Sequence, residues 1–286
     1  MIPRGTPAQV ADTLEGAGVI GAPRLFRLAA ALTRAAGPLH AGELAFPAHG
    51  SVRQVLAVLR TARPVEHRLT IPEGLTAAQI ALLLDRADAL AGETPLPPEG
   101  AVLPQTYVFE RGTPRTVLLG RMAAAMDAAL TRAWAGRDPD LPLDSPQQLL
   151  VLASLVERET ARPEERAHVA AVFVNRLRRG MRLQSDPTVA YAATGGAATA
   201  DRGLTRGDLE APSPYNTYRV AGLPPGPIDS PGLASLEAAA RPDHSDDLYF
   251  VADGTGGHAF ARTLEEHARN VARWRAAEAP GRVLDR

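Results

Sequence analysis

The sequence has no lysine and no cysteine: all 31 of its basic residues are arginines, in a chain of 286 residues. Without lysine there is no Schiff-base amine, hence no ordinary pyridoxal-phosphate chemistry, and no Walker-type phosphate loop. Without cysteine there is neither thiol chemistry nor a disulfide framework, which is compatible with a reducing or an oxidising compartment. The formal net charge is -1 and no basic run is interleaved with aromatic residues, which argues against nucleic acid as a partner. No apolar run approaches the roughly 20 residues that span a bilayer. The seven histidines include no His-x-x-x-His pair, so a metal site is not expected. There is no Gly-x-Ser-x-Gly elbow, and Ser154 belongs to no triad motif. What remains is carboxylate chemistry on a chain that is 45% hydrophobic, ample for the core of one or two domains.

The carboxylates that stand out lie in LLVLASLVERET, residues 149 to 160. Ser145-Pro146-Gln147-Gln148 is a helix start: a Ser cap, Pro at the first helical position, and Gln three residues after the cap. At about 100° per residue, Glu159 falls on the face of Gln148, Leu152, Leu155 and Val156. Glu157 falls nearly opposite, beside Leu150 and Ser154 on the more polar side. Glu159 is therefore expected to face the core, where desolvation raises a carboxyl's pKa toward the value a general acid needs. The plainer alternative makes Glu159 a salt-bridged, partly exposed helix end. Glu157 is the secondary candidate.

Along the chain, Ile2 to Thr6 reads as a short strand, with Thr6 capping a helix from Pro7 to Glu15. A second helix covers Pro23 to Ala36, Gly42 to Phe46 reads as a returning strand, and Val52 to Thr61 as a third helix. This βααβ arrangement is compatible with a carbohydrate-binding module and with many other small α+β units. A strand at His67 to Ile71 leads to a helix capped by Thr76. The proline-dense stretch Thr94 to Pro104 reads as a hinge or linker. Beyond it come an extended segment, Leu103 to Phe109, and helices at Thr116 to Gly136 and Glu164 to Arg179, the last stopped by Gly180. Leu183 to Thr188 reads as a polar turn, and Thr194 to Ala200 as a surface loop. Pro212 to Ile228 has too many prolines for a helix or a central strand. Its Tyr215, Asn216 and Tyr218 suit a sugar-binding wall, or the loop is simply a stiff connector. A hairpin at Asp247 to Phe260 and a helix from Leu264 to Ala277 close the chain.

The strings ASLVERET, VAAVFVNRLRRGMRLQSDPTVAY, SPYNTYRVAGLPPGPIDSPG and LYFVADGTGGHAF, in this order, resemble the YceG-like (MltG) family of endolytic murein transglycosylases. LTIPEGLTAAQIA and LPQTYVFERGT resemble further blocks of that family, with Gln105 where its pattern has Asp. The resemblance implies an α+β fold. A LysM-like module with its following helix would occupy residues 1 to 66, and a mixed α/β catalytic domain residues 67 to 286. It implies cleavage of the β-1,4 bond between N-acetylmuramic acid and N-acetylglucosamine in nascent peptidoglycan, leaving 1,6-anhydromuramyl ends, without cofactor. Glu159 aligns with the family's catalytic glutamate. Asn175, Arg176, Gln184, Asp186, Thr188, Tyr215, Asn216 and Tyr218 are expected to bind or position substrate. The partners implied are glycan strands, together with peptidoglycan synthases and division or elongation proteins. The location implied is the periplasmic side of the bacterial inner membrane, with the anchoring helix outside this chain. A non-catalytic peptidoglycan-binding scaffold and a hydrolytic muramidase are the competing readings.

Overall fold

The structure is a computed structural model that describes residues 1–197 and 203–278. Helices dominate, and the described strands form three two-stranded sheets, an α+β architecture. The chain divides into two compact units. The first comprises Met1–Leu69, Ala87–Glu93 and Thr106–Leu118, and the second Thr70–Arg86, Thr94–Gln105 and Leu119 onward.

In the first unit, α1 (Pro7–Gly16), α2 (Pro23–Leu32) and α3 (Val52–Thr61) enclose an apolar core centred on Leu14, Phe26, Val55 and Leu59, all fully buried. Thr6 with Gln9 and Ser51 with Gln54 form reciprocal capping boxes that satisfy the first amides of α1 and α3. A 3-10 turn, Arg34–Ala36, follows α2, so the helix ends earlier than its apolar periodicity suggests. The two strands expected at Ile2 to Thr6 and Gly42 to Phe46 reduce to one bridge. Ile2 and Gly42 exchange both backbone hydrogen bonds, at 2.7 and 2.9 Å. Pro3 has no N–H with which to extend a ladder. Strands β1 (Glu66–Thr70) and β3 (Thr106–Glu110) pair with each other, and β2 (Leu90–Ala91) runs parallel to β4 (Thr113–Pro114).

The second unit opens with α4 (Ala77–Asp85), started by a Thr76–Gln79 capping box, and continues with the long α5 (Arg115–Ala135), whose first residues belong to the first unit. Its centre is α6 (Pro146–Glu159), in which every residue from Leu149 to Val156 is buried. Such burial on all sides requires neighbours all round. These are α7 (Arg166–Arg178), α8 (Asp186–Thr194) and α10 (Leu233–Ala240). The short α9 (Arg206–Glu210) follows α8. Antiparallel β5 (Tyr249–Ala252) and β6 (His258–Ala261) pack with α11 (Leu264–Glu278). The expected polar turn at Leu183 to Thr188 is in part helix. The Asp186-Pro187 start is pre-organised for a first turn, and α8 runs from there to Thr194. The loop expected at Thr194 to Ala200 lies partly outside the described residues.

Candidate active site

Ser145 starts α6 by accepting from the Gln148 amide at 3.3 Å, while the Gln148 side chain reaches back to the Asp144 amide at 2.7 Å, one residue beyond the cap. Fourteen residues later the helix ends on Glu159. Thr160 then turns into extended backbone, and its hydroxyl donates to Glu165 at 3.1 Å. Glu165 also accepts from the His258 amide at 3.0 Å and lies 2.7 Å from Nδ1 of His258. The turn after Glu159 is thus fastened to the β5–β6 hairpin.

Glu159 is part-buried. Its Oε1 accepts from the Ser185 hydroxyl at 2.5 Å. Burial pushes its pKa up to about 7, with the charge of Asp186 adding to the rise. The Ser185 hydrogen bond and the cations of Arg176 and Arg158 act in the opposite sense. A carboxyl poised there is divided between its protonated and charged forms near neutrality, so it can both give and take a proton.

Ser185 is held by a buried mesh of hydroxyls. Its amide donates to Oγ1 of Thr217 at 3.0 Å, Thr188 donates to the Ser185 carbonyl at 2.7 Å, and the Thr188 and Thr217 hydroxyls meet at 2.8 Å. Gln184 has left-handed backbone, φ 49°, and its amide donates to the Thr217 carbonyl at 3.2 Å. Tyr218 donates its phenol to Asp186 at 2.6 Å, and burial together with that carboxylate pushes the phenol's pKa well above its ordinary value. The segments 184–188 and 216–218 therefore form one wall beside Glu159, with the Gln184 and Asp186 side chains exposed.

The other expected contacts are spent inside the protein. Arg176, 8% exposed, donates to the carbonyls of Leu248 at 2.6 Å and Leu183 at 2.7 Å, bracing the segment that leads to Ser185. Asn175 donates to the carbonyls of Ser245 at 2.6 Å and Asp247 at 3.1 Å. Asn216 is 1% exposed. Its amide caps the end of α9 through the Leu209 and Ala211 carbonyls, at 3.0 and 2.9 Å, and its oxygen accepts from the Tyr218 amide at 3.1 Å. Thr188 is fully buried. The Tyr215 ring tilts against Tyr191, 4.8 Å between centroids, and packs on the main core.

Glu157 corrects the helical-wheel expectation. It is not on a polar side, because α6 has none there: Leu150 is 3% exposed and Ser154 not at all. The Glu157 side chain is 6% exposed. It accepts from the Gly232 amide at 2.9 Å and lies 3.7 Å from Arg166, which also stands 3.6 Å from Glu73. Glu73, Glu157 and Arg166 line a cavity of about 310 Å³. Glu157 and Glu159 thus differ in partners rather than in burial. Sequence reasoning did not single out Ser185 or Thr217, whose only signal was a hydroxyl inside a dense polar motif. Among the described residues no group of His, Asp and Glu could hold a metal ion.

The YceG-like family model matches residues 1–273. An endolytic murein transglycosylase of Streptococcus pneumoniae is 41% identical over 179 residues, covering 61% of this chain and 32% of that protein. The protein of the same name from Bacillus subtilis is 50% identical over 123 residues, 43% of this chain and 33% of that one. The matches therefore span about a third of these relatives. The solved structure of a yceG-like protein from Listeria monocytogenes superposes with a TM-score of 0.60 at 31% identity, covering 94% of this chain and 97% of that one. With the match running from the first residue into the last helix, the chain belongs to the YceG-like family.

Proposed function

We propose that the chain is the catalytic portion of an endolytic murein transglycosylase, acting on nascent peptidoglycan strands at the periplasmic side of the inner membrane with Glu159 as its single acid and base. The observation that carries this reading is the carboxyl itself: part-buried, held by Ser185, with a pKa pushed up to about 7. The murein transglycosylases among its relatives agree with it. Protonated Glu159 gives its proton to the glycosidic oxygen as the bond from C1 breaks and oxocarbenium character develops. The carboxylate left behind takes the proton of the muramyl 6-hydroxyl as that oxygen bonds to C1, closing a 1,6-anhydro ring. The nucleophile is already part of the substrate, so proximity favours it over water and no second protein carboxylate is required. Gln184, Asp186 and Tyr218 are the positioning residues on this reading. Asn175, Arg176, Thr188 and Asn216 keep the wall in place, and Tyr215 anchors its proline-rich loop to the core. Residues 1 to 66 would serve as a LysM-like glycan-holding module and residues 67 to 286 as the catalytic domain, with synthases and division or elongation proteins as partners.

The test is mass spectrometry of glycan strands digested by the purified chain. Glu159→Gln is expected to abolish anhydro-ended products while leaving glycan pull-down and the circular dichroism spectrum unchanged. Glu157→Gln, which keeps an acceptor for the Gly232 amide, should cost far less. Products one water heavier would identify a hydrolytic muramidase. Pull-down with no cleavage by the unmodified chain would identify a scaffold.

A further inference from the structure

Charge is distributed unevenly along the chain. Residues 1–66 carry seven arginines against four acids, a net charge of +3, whereas the whole chain stands at -1. Between Glu15 and Glu43, and again between Glu43 and Glu66, every Asp, Glu, Lys or Arg position is an arginine. These stretches contain α2 and α3.

On α2, Leu25, Leu28 and Leu32 are 55%, 57% and 78% exposed, while Phe26 and Ala30 on the opposite side are buried. The spacing i, i+3, i+7 puts the three leucines in one stripe. By the same geometry Arg24, four residues before Leu28, flanks it on one side. On the other side, Leu25 and Ala29 face α3 across an apolar groove of about 620 Å³ whose lining includes Arg53 and Arg60. Arg60 braces the groove by donating to Oγ1 of Thr33 at 3.0 Å and to the Gly37 carbonyl at 3.2 Å. Arg24, Arg27, Arg34 and Arg53 are exposed and have no ion-pair partner among the described residues. A single exposed leucine needs no explanation. Three in a stripe flanked by unpaired cations form a surface built to meet something apolar and negative.

We infer that this face of the first unit docks on an anionic lipid surface. The leucines enter the boundary between headgroups and acyl chains, and the arginines lie at the level of the phosphates. A peptide seated in the groove explains less. Leu28 and Leu32 do not line the groove and would stay in water, whereas a lipid plane covers all three leucines together. The inference does not depend on the catalytic reading, and its test measures no cleavage.

The full chain is sedimented with vesicles of mixed phosphatidylglycerol and phosphatidylcholine, and with vesicles of phosphatidylcholine alone. Binding is expected to the anionic vesicles and should weaken as salt rises. Replacing all three leucines, Leu25→Gln, Leu28→Gln and Leu32→Gln, should lower binding about tenfold or more. Arg24→Gln and Arg53→Gln should each lower it about fivefold. All five side chains are exposed, so thermal unfolding should hardly move. Failure to bind anionic vesicles, equal binding to neutral ones, or undiminished binding by the leucine variant overturns the inference. So does capture of a soluble acidic amphipathic peptide without vesicle binding, which would make the face a protein-docking site.

Discussion

Glu159 and Ser185 form the contact on which the proposed chemistry turns, and its direction is testable. The Ser185 hydroxyl donates to the carboxylate and so favours the charged form, opposing the rise caused by burial. Ser185→Ala removes that opposition, and the Glu159 pKa rises further. On the proposed mechanism the acid must be protonated to act, so activity is expected to fall as pH rises through about 7 in the unmodified chain. In the variant, the alkaline limb of the kcat/KM profile should move to higher pH. A limb that stays in place or moves down would separate Ser185 from the acid. Neither Ser185 nor Thr217 was legible beforehand, because hydrogen bonds between hydroxyls leave no periodic trace in a sequence. Asn216 was misleading for the opposite reason. An amide in an aromatic loop looks like a sugar contact, yet its donors are taken up by the last carbonyls of α9.

Helix α6 is held from within as well as from its ends. The buried Ser154 donates to the Val151 carbonyl at 2.8 Å and accepts from the Ile228 amide at 3.1 Å. This ties the proline-rich loop to the middle of the helix. Ser154→Ala would strand a buried N–H and should cost about 1–3 kcal/mol, read as a lower urea midpoint with an unchanged slope. Ser145→Ala, at the exposed end, should cost only about 1 kcal/mol. The beginning of α6 was legible because caps and prolines act locally, whereas its end at Glu159 lies three residues past Val156, where the apolar run stops. Which way Glu157 faces was not legible. A helical wheel presumes one wet side, and α6 has none between Leu149 and Val156. Helix α8 was hidden because its nine residues carry little apolar periodicity and are secured by contact with α6. The strands at Ile2 and Gly42 were over-read, since extended backbone beside prolines looks like strand before the ladder is counted.

Each unit has a core of its own, and both tryptophans, Trp134 and Trp274, lie in the second. Tryptophan fluorescence therefore reports on that unit alone, while far-UV circular dichroism reports on both. Phe26→Ala empties the centre of the first core and should cost about 3–5 kcal/mol. Its unfolding curves by the two probes are expected to separate, with the fluorescence transition nearly unmoved. Coincident, equally shifted curves would show a single cooperative block. The first unit is also discontinuous along the chain, completed by Ala87–Glu93 and Thr106–Leu118. During synthesis, β1 must wait for β3, and the first unit cannot close until residue 118 has left the ribosome. The amino-terminal part is thus made first but finished late: its helical core, drawn from residues 2–59, is complete on the chain before the strands that finish the unit are made.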